Sequence, residues 1–291
     1  MYARIRCALP TAFMTPSPSS RSPYTIMNRK TVLKAAMATA VGAMVAPLTA
    51  CAGFTNPSSL PYQVNASAKT TESDDDLKVI KSILAGNNPA TWVCTGDSIT
   101  QGAAHSHGWR HYVQHFEEHV RWDLGRKWDF FVNTGVTSER TGHILQDFDL
   151  RVSRFSPDVV TLMIGTNDAT LGPGGRKEYR KNLKMLAERI RDTGAIPIFL
   201  TFNPVRSEQA TTRTDLPAYV DIMREVAIDH KIVLVDNYKY WESQGATALE
   251  NWLSDAIHPN EVGHLMMALL LFDRLGIDDP NGSIANLPIA S

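Results

Sequence analysis

A serine, an amide and an aspartate–histidine pair stand at the points of this chain where chemistry is most readily done. The first lies in Thr91-Trp92-Val93-Cys94-Thr95-Gly96-Asp97-Ser98-Ile99-Thr100, where a β-prone run ends at a glycine and a hydroxyl. Ser98 is therefore expected just past the C-terminal end of a strand, and in an open parallel α/β sheet that end is where ligands bind. An Asp-Ser helix cap is the competing reading of the same residues. A Gly-x-Ser-x-Gly nucleophile elbow is excluded, because Thr100 stands where its second glycine would be.

The second point is Gly165-Thr166-Asn167-Asp168, which follows the apolar run Val159-Val160-Thr161-Leu162-Met163-Ile164. An amide at a strand's C-terminal edge can donate a fixed hydrogen bond without bringing charge, as an oxyanion-stabilising donor must; a plain Asx turn is the alternative. The third is Asp255-Ala256-Ile257-His258-Pro259-Asn260. A carboxylate three residues before an imidazole can fold back onto its N–H and leave the other ring nitrogen as a base. Pro259 biases His258 toward extended backbone, so the ring can be held on a loop. Turn and cap roles for Asp255 and Asn260 are the alternative.

The elements that must position these residues alternate. Strands are predicted over 91–95, 129–133, 158–164, 196–202 and 232–235, each short and apolar enough to be buried. Helices are predicted over 109–124, 140–154, 177–193, 217–230, 246–253 and 261–275, after a short amphipathic piece at 77–84. Five strands separated by helices point to a doubly wound parallel sheet in one domain over 77–277. The tail, 278–291, reads as polar and loosely packed.

His107, His111, His115 and His119 recur every four residues on the helix predicted over 109–124 and the turn before it. Such a stripe could hold a metal through an adjacent pair, but no local carboxylate or cysteine pattern completes a site, so a solvated face is expected. Gly172-Pro173-Gly174-Gly175 lacks the Lys-Ser/Thr of a phosphate loop and reads as a plain loop. Neither metal nor cofactor is called for.

Of the 291 residues, the first fifty carry six basic and no acidic side chains, which leaves 23 basic against 30 acidic residues in the rest. That mildly acidic body gives no case for nucleic acid. Met27-Asn28-Arg29-Lys30, the apolar stretch 35–48 and Leu48-Thr49-Ala50-Cys51 have the three-part form of a secretory signal within residues 1–50. Fourteen apolar residues are too few to span a hydrocarbon core of about 30 Å. The Leu-Thr-Ala-Cys ending resembles a bacterial lipobox, which implies lipidation at Cys51, a membrane anchor and an exported, cell-envelope or secreted protein. Residues 51–76 read as a flexible tether. Cys94 is then the one thiol within the fold, packing as a small apolar residue.

Taken together and in order, these segments resemble the SGNH hydrolases, also called the GDSL esterase/lipase family, over residues 90 to 275. Gly96-Asp97-Ser98-Ile99-Thr100 is similar to its first block, Gly165-Thr166-Asn167-Asp168 to its third and Asp255-x-x-His258 to its fifth. The resemblance implies a flavodoxin-like three-layer α/β sandwich with a five-stranded parallel sheet in the order 2-1-3-4-5. It also implies Ser98 as nucleophile, His258 as base and Asp255 as the residue that orients it. Asn167 and the backbone N–H of Ser98 are then oxyanion donors. The second block departs from the family: Asn133 is followed at the glycine spacing by Ser138. Because that donor is a backbone N–H, Ser138 can serve if its dihedrals suit a non-glycine residue; Gly135 or Gly142 would need a different local path. The expected substrate is a small-molecule or glycan ester, with acetyl esters of carbohydrates first, and lipase, lysophospholipase or arylesterase activity second. A non-catalytic carbohydrate-binding domain on the same fold is the alternative of another class.

Overall fold

The computed structural model describes residues 73–102, 104–279, 281–284 and 287. The expected signal, the lipidation point Cys51 and nearly all of the tether lie outside them.

Five strands form one all-parallel sheet: β1 (Thr91–Gly96), β2 (Phe130–Asn133), β3 (Val159–Met163), β4 (Ile196–Leu200) and β5 (Val233–Val235), in the order β2-β1-β3-β4-β5. All five fall inside or within one residue of the predicted runs, and the order is that implied by the resemblance. Pairing of Gly96 with Met163 and of Cys94 with Asn133 brings the ends of β1, β2 and β3 to one edge. β1 and β3 are buried along almost their whole length, and Cys94 is a buried free thiol whose burial pushes it up to about 12.

The helices are α1 (Ser73–Ala85), α2 (Ser98–Gln101), α3 (Tyr112–Glu118), α4 (Thr141–Gln146), α5 (Phe148–Arg151), α6 (Arg176–Asp192), α7 (Leu216–Asp229), α8 (Asn237–Ser243), α9 (Ala246–Asn251) and α10 (Glu261–Leu275). α3 and α1 pack on α10 as one layer, and α4 and α7 pack on α6 as another. Two helix layers around a parallel sheet make the three-layer α/β sandwich. The core is aromatic at its centre, with Trp92 edge-on to Phe116 and stacked on Phe131.

Several expectations need correction. The sheet places β2 at its edge, so Phe130 and Asn133 are exposed rather than buried; an edge strand is covered on fewer sides. The tether ends earlier than predicted, because α1 already begins at Ser73 and carries the acidic run in its first turns, where carboxylates complement the helix dipole. Asp76 there pairs with Arg191 at 2.6 Å. The single helix predicted over 140–154 is broken into α4, α5 and a 3₁₀ turn, Ser153–Phe155. At the break Arg151 turns inward and donates to the carbonyls of Gly96 and Thr134 at 2.7 and 2.8 Å, a tertiary demand that a continuous helix pattern does not encode. The Gly-Pro-Gly-Gly stretch ends the 3₁₀ span Asp168–Gly175, which is interrupted at Gly172, where φ +58° and ψ −153° are not helical. The tail is not loose where it is described: Ile284 is buried, and Ser283 donates to Asp123 at 2.7 Å.

Candidate active site

β1 delivers Ser98 through a turn only glycine permits. A Cβ on Gly96 would stand 2.2 Å from the Met163 carbonyl and 2.3 Å from Thr100 Oγ1. Asp97 then caps α2, its Oδ1 accepting from the Ile99 N–H at 3.0 Å. Both readings of Asp97-Ser98 hold: the aspartate is a helix cap, and the serine opens the helix with an N–H that has no partner inside it. Burial pushes the Asp97 carboxyl up to about 7, against the pull of the Ile99 N–H.

His258 sits on the loop between α9 and α10, closed by a bridge between Leu253 and Pro259. Asp255 folds back under it: Oδ1 accepts from the backbone N–H groups of Ile257 and His258 at 2.7 and 2.8 Å, and Oδ2 lies 2.8 Å from His258 Nδ1. The opposite nitrogen, Nε2, is 2.9 Å from Ser98 Oγ. With Nδ1–H donating to the carboxylate, Nε2 is left to accept the serine proton. Burial holds the His258 imidazole below its ordinary value, with His105 and Arg213 adding to the effect and Asp255 opposing it. Asp255 is pushed up by burial but brought below the carboxylate range by its hydrogen bonds to residues 257 and 258. Asn203 and Arg206, beyond the end of β4, donate to the carbonyls of Ile257 and Ala256 and so brace this loop. Sequence spacing did not single them out, since they act through backbone oxygens.

Asn167 follows β3. Arg213 Nη2 donates to its Oδ1 at 3.0 Å, which leaves the amide as the donor side; its Nδ2 gives one hydrogen bond to the Glu139 carbonyl at 3.0 Å and retains a second N–H. That bond ties Asn167 to the residue after Ser138. The other side of the same turn is tied to α2 and β1, with the Thr137 N–H on Gln101 Oε1 at 2.9 Å and the Val136 N–H on the Gly96 carbonyl at 3.1 Å. Ser138 itself has φ +65°, the left-handed conformation usually given to glycine, and not dihedrals that suit a non-glycine residue. Gly135 is committed elsewhere: its N–H donates to Asn133 Oδ1 at 2.9 Å, and its Cβ position is filled by α2.

One residue at the site was not foreseen. His105, on the 3₁₀ turn Ala104–Ser106, lies face to face with His258, ring centroids 3.4 Å apart and planes 3° apart, with Nδ1 3.4 Å from Asp255 Oδ2. His105, Asp255 and His258 each offer a ligand atom within 4.8 Å of the others. The in-plane lone pairs of parallel rings do not converge on one ion, however, and Asp255 and His258 are already hydrogen-bonded, so the set is a poor tetrahedral metal site. The histidine stripe is a correction. His115 and His119 are buried rather than solvated, because that face of α3 and the π-helical turn after it pack on α10. His107 lies before the helix, with φ +50°.

The family model of the GDSL-like lipase/acylhydrolase family matches residues 94–266, well over half the chain. An alpha/beta hydrolase enzyme from the metagenome of Lake Arreo, Spain, is 24% identical, with 67% of this chain and 98% of that chain covered at a TM-score of 0.56. An acetylxylan esterase from Geobacillus stearothermophilus is 18% identical, with 66% and 96% covered at 0.55. A multidomain esterase of Ruminococcus flavefaciens is 26% identical over 129 residues, 43% of this chain and 16% of that protein's length. The chain belongs to the GDSL-like lipase/acylhydrolase family, and its domain is that of a carboxylic ester hydrolase.

Proposed function

We propose that this protein is a serine esterase that removes short acyl groups, acetyl first, from a carbohydrate ester. The observation that carries the reading is the unbroken line Ser98 Oγ, His258 Nε2, His258 Nδ1, Asp255 Oδ2, with spacings of 2.9 and 2.8 Å at its two hydrogen bonds. Ser98 Oγ attacks the ester carbonyl carbon as His258 takes its proton. The tetrahedral oxyanion is held by the N–H groups of Ser98 and Ser138 and by Asn167 Nδ2. His258 then hands its proton to the departing alcohol and activates the water that releases the acid.

The short-acyl preference follows from the surroundings. A long-chain lipase gains about 0.8 kcal/mol per buried methylene and needs an apolar groove to do so, whereas the turn carrying Ser138 is polar and exposed. Trp109, 48% exposed and three residues past the turn that carries His105, is free to stack on a sugar. Trp252 is engaged with Trp241 and Tyr240 instead. Acetylated sugars and p-nitrophenyl esters of graded length test the reading. We expect kcat/KM to fall beyond acetyl or propionyl; a steady rise through octanoyl would favour a lipase, and no turnover of any ester a binding domain.

We infer further, from the sequence alone, that the mature protein begins at a lipidated Cys51 in the cell envelope. Mass spectrometry of membrane-extracted protein tests this; an unmodified Cys51 or an upstream N-terminus overturns it.

A further inference from the structure

We infer that His105 is a positioning residue for His258, holding the face of the ring whose two edges are held by Asp255 and Ser98. The inference rests on the reading of His258 as the base. Hydrogen bonds at Nδ1 and Nε2 fix the two ends of the imidazole, but a ring held at two points can still tip about the line that joins them. A flat neighbour at a centroid distance of 3.4 Å and 3° closes that remaining freedom on one side. Productive proton transfer tolerates about 10–20° of misorientation, so the contact bears on the angle that matters.

His105 is itself anchored to the element that carries the nucleophile. Ser106 is buried, and its hydroxyl donates to the carbonyl of Gly102, the left-handed C-cap of α2, at 2.5 Å; the Trp109 N–H closes back on the Ser106 carbonyl at 2.8 Å. The stretch from 98 to 106 therefore supplies both the attacking hydroxyl and the wall behind the base.

The second consequence is electrostatic. The charged and titratable groups facing His258 are Asp255 from its own loop, His105 from the 104–106 turn, Arg213 from the turn Thr211–Arg213 and the buried His264 from α10. His105 Nδ1 also lies 3.4 Å from Asp255 Oδ2, the same oxygen that faces His258 Nδ1. Removing His105 then makes His258 easier to protonate, consistent with the direction His105 gives it here.

The test compares the full chain with His105→Ala and His105→Phe on a short p-nitrophenyl ester, with melting temperatures as a control. Ala should lower kcat on the order of tenfold with little change in KM, as expected for a small misplacement of a catalytic group. Phe, a flat ring without charge, should recover most of kcat. In both variants the acid limb of kcat/KM should move to higher pH, and NMR titration of the His258 ring should follow it. An Ala variant with wild-type kcat and an unmoved limb overturns the inference, as does a loss that Phe leaves unrepaired. A wild-type protein that hydrolyses no ester would count against the esterase reading instead; the NMR titration of His258 in wild type and His105→Phe would still decide the role of His105.

Discussion

Among the described residues, two aspartate–histidine pairs share the same 2.8 Å separation between Nδ1 and a carboxylate oxygen, and they face different third groups. His258 with Asp255 faces Ser98 Oγ through Nε2. His119 with Asp123 faces the Ile277 carbonyl through Nε2 at 2.6 Å, and its ring lies stacked on Phe272 at 4.2 Å. A hydroxyl can give a proton to a ring nitrogen; a carbonyl can only accept one. His119, with a carboxylate at one nitrogen and a carbonyl at the other, meets no hydroxyl that could give it a proton and serves as a clip between the π-helical turn after α3 and the chain beyond α10. The pair alone is therefore not the signature of a base. What the third group is decides it.

Replacing the third group should separate the two pairs most sharply. Ser98→Ala or His258→Ala is expected to cost on the order of 10⁴–10⁶ in kcat with the fold intact, whereas His119→Ala should leave kcat nearly unchanged and destabilise the protein by about 1–3 kcal/mol for each buried partner left unsatisfied. Single-turnover kinetics and chemical denaturation of the three variants check this. Undiminished turnover in a folded Ser98→Ala protein would mean the nucleophile is another residue.

Asn167→Ala, which removes one proposed oxyanion donor but leaves the Ser98–His258–Asp255 line whole, is expected to cost about 10²–10³ in kcat. Arg213→Met should cost less, since it loosens the amide without deleting it. If Arg213→Met proved the worse of the two, orientation of Asn167 could not be the main service of Arg213.

Acid sharpens the contrast further. As the proposed base, His258 would act only when neutral, and it is held below its ordinary value of 6.5, so kcat/KM should persist below pH 6.5 before falling. Stability should respond through other imidazoles. Burial pushes His111 and His115 down to about 4 and His264 further, so the unfolded chain binds protons first. Their contribution is complete above pH 6.5 and is lost as the pH falls from there through about 4, with a slope of at most about 1.4 kcal/mol per pH unit for each histidine. His115→Leu should flatten that slope in urea melts while leaving the acid limb of activity where it is; a joint shift would break the separation.

The smallest effect is expected at Ser138. Glycine there relieves a left-handed φ and keeps the backbone N–H, so Ser138→Gly should stabilise by up to about 1 kcal/mol and change kcat less than threefold. A large loss of activity would show that the serine side chain, and not only its N–H, takes part.

Much of this site was legible because its parts are local. Ser98 follows a strand that its own residues specify, Asn167 does the same, and Asp255 reaches His258 within a single turn of loop. The misreadings share one cause. His115 and His119 read as a solvated stripe because four-residue spacing says which residues share a face but not what that face meets, and here it meets α10. The helix predicted over 140–154 is interrupted at Asp147 and Val152, and Arg151 between them reaches the carbonyls of Gly96 and Thr134, contacts that a helical spacing does not encode.

The sequence by itself determined the alternation of strands and helices, the glycine turn before Ser98 and the Asp255–His258 pair, since each depends on bonds and sterics among neighbouring residues. Only the tertiary structure decided that Ser98 Oγ stands 2.9 Å from a ring 160 residues away, that Ser138 takes a left-handed backbone beside Asn167, and that His105 covers the face of the His258 ring. Those relations cross between strands, and nothing in a linear spacing fixes a distance that the packing of a sheet and two helix layers must set.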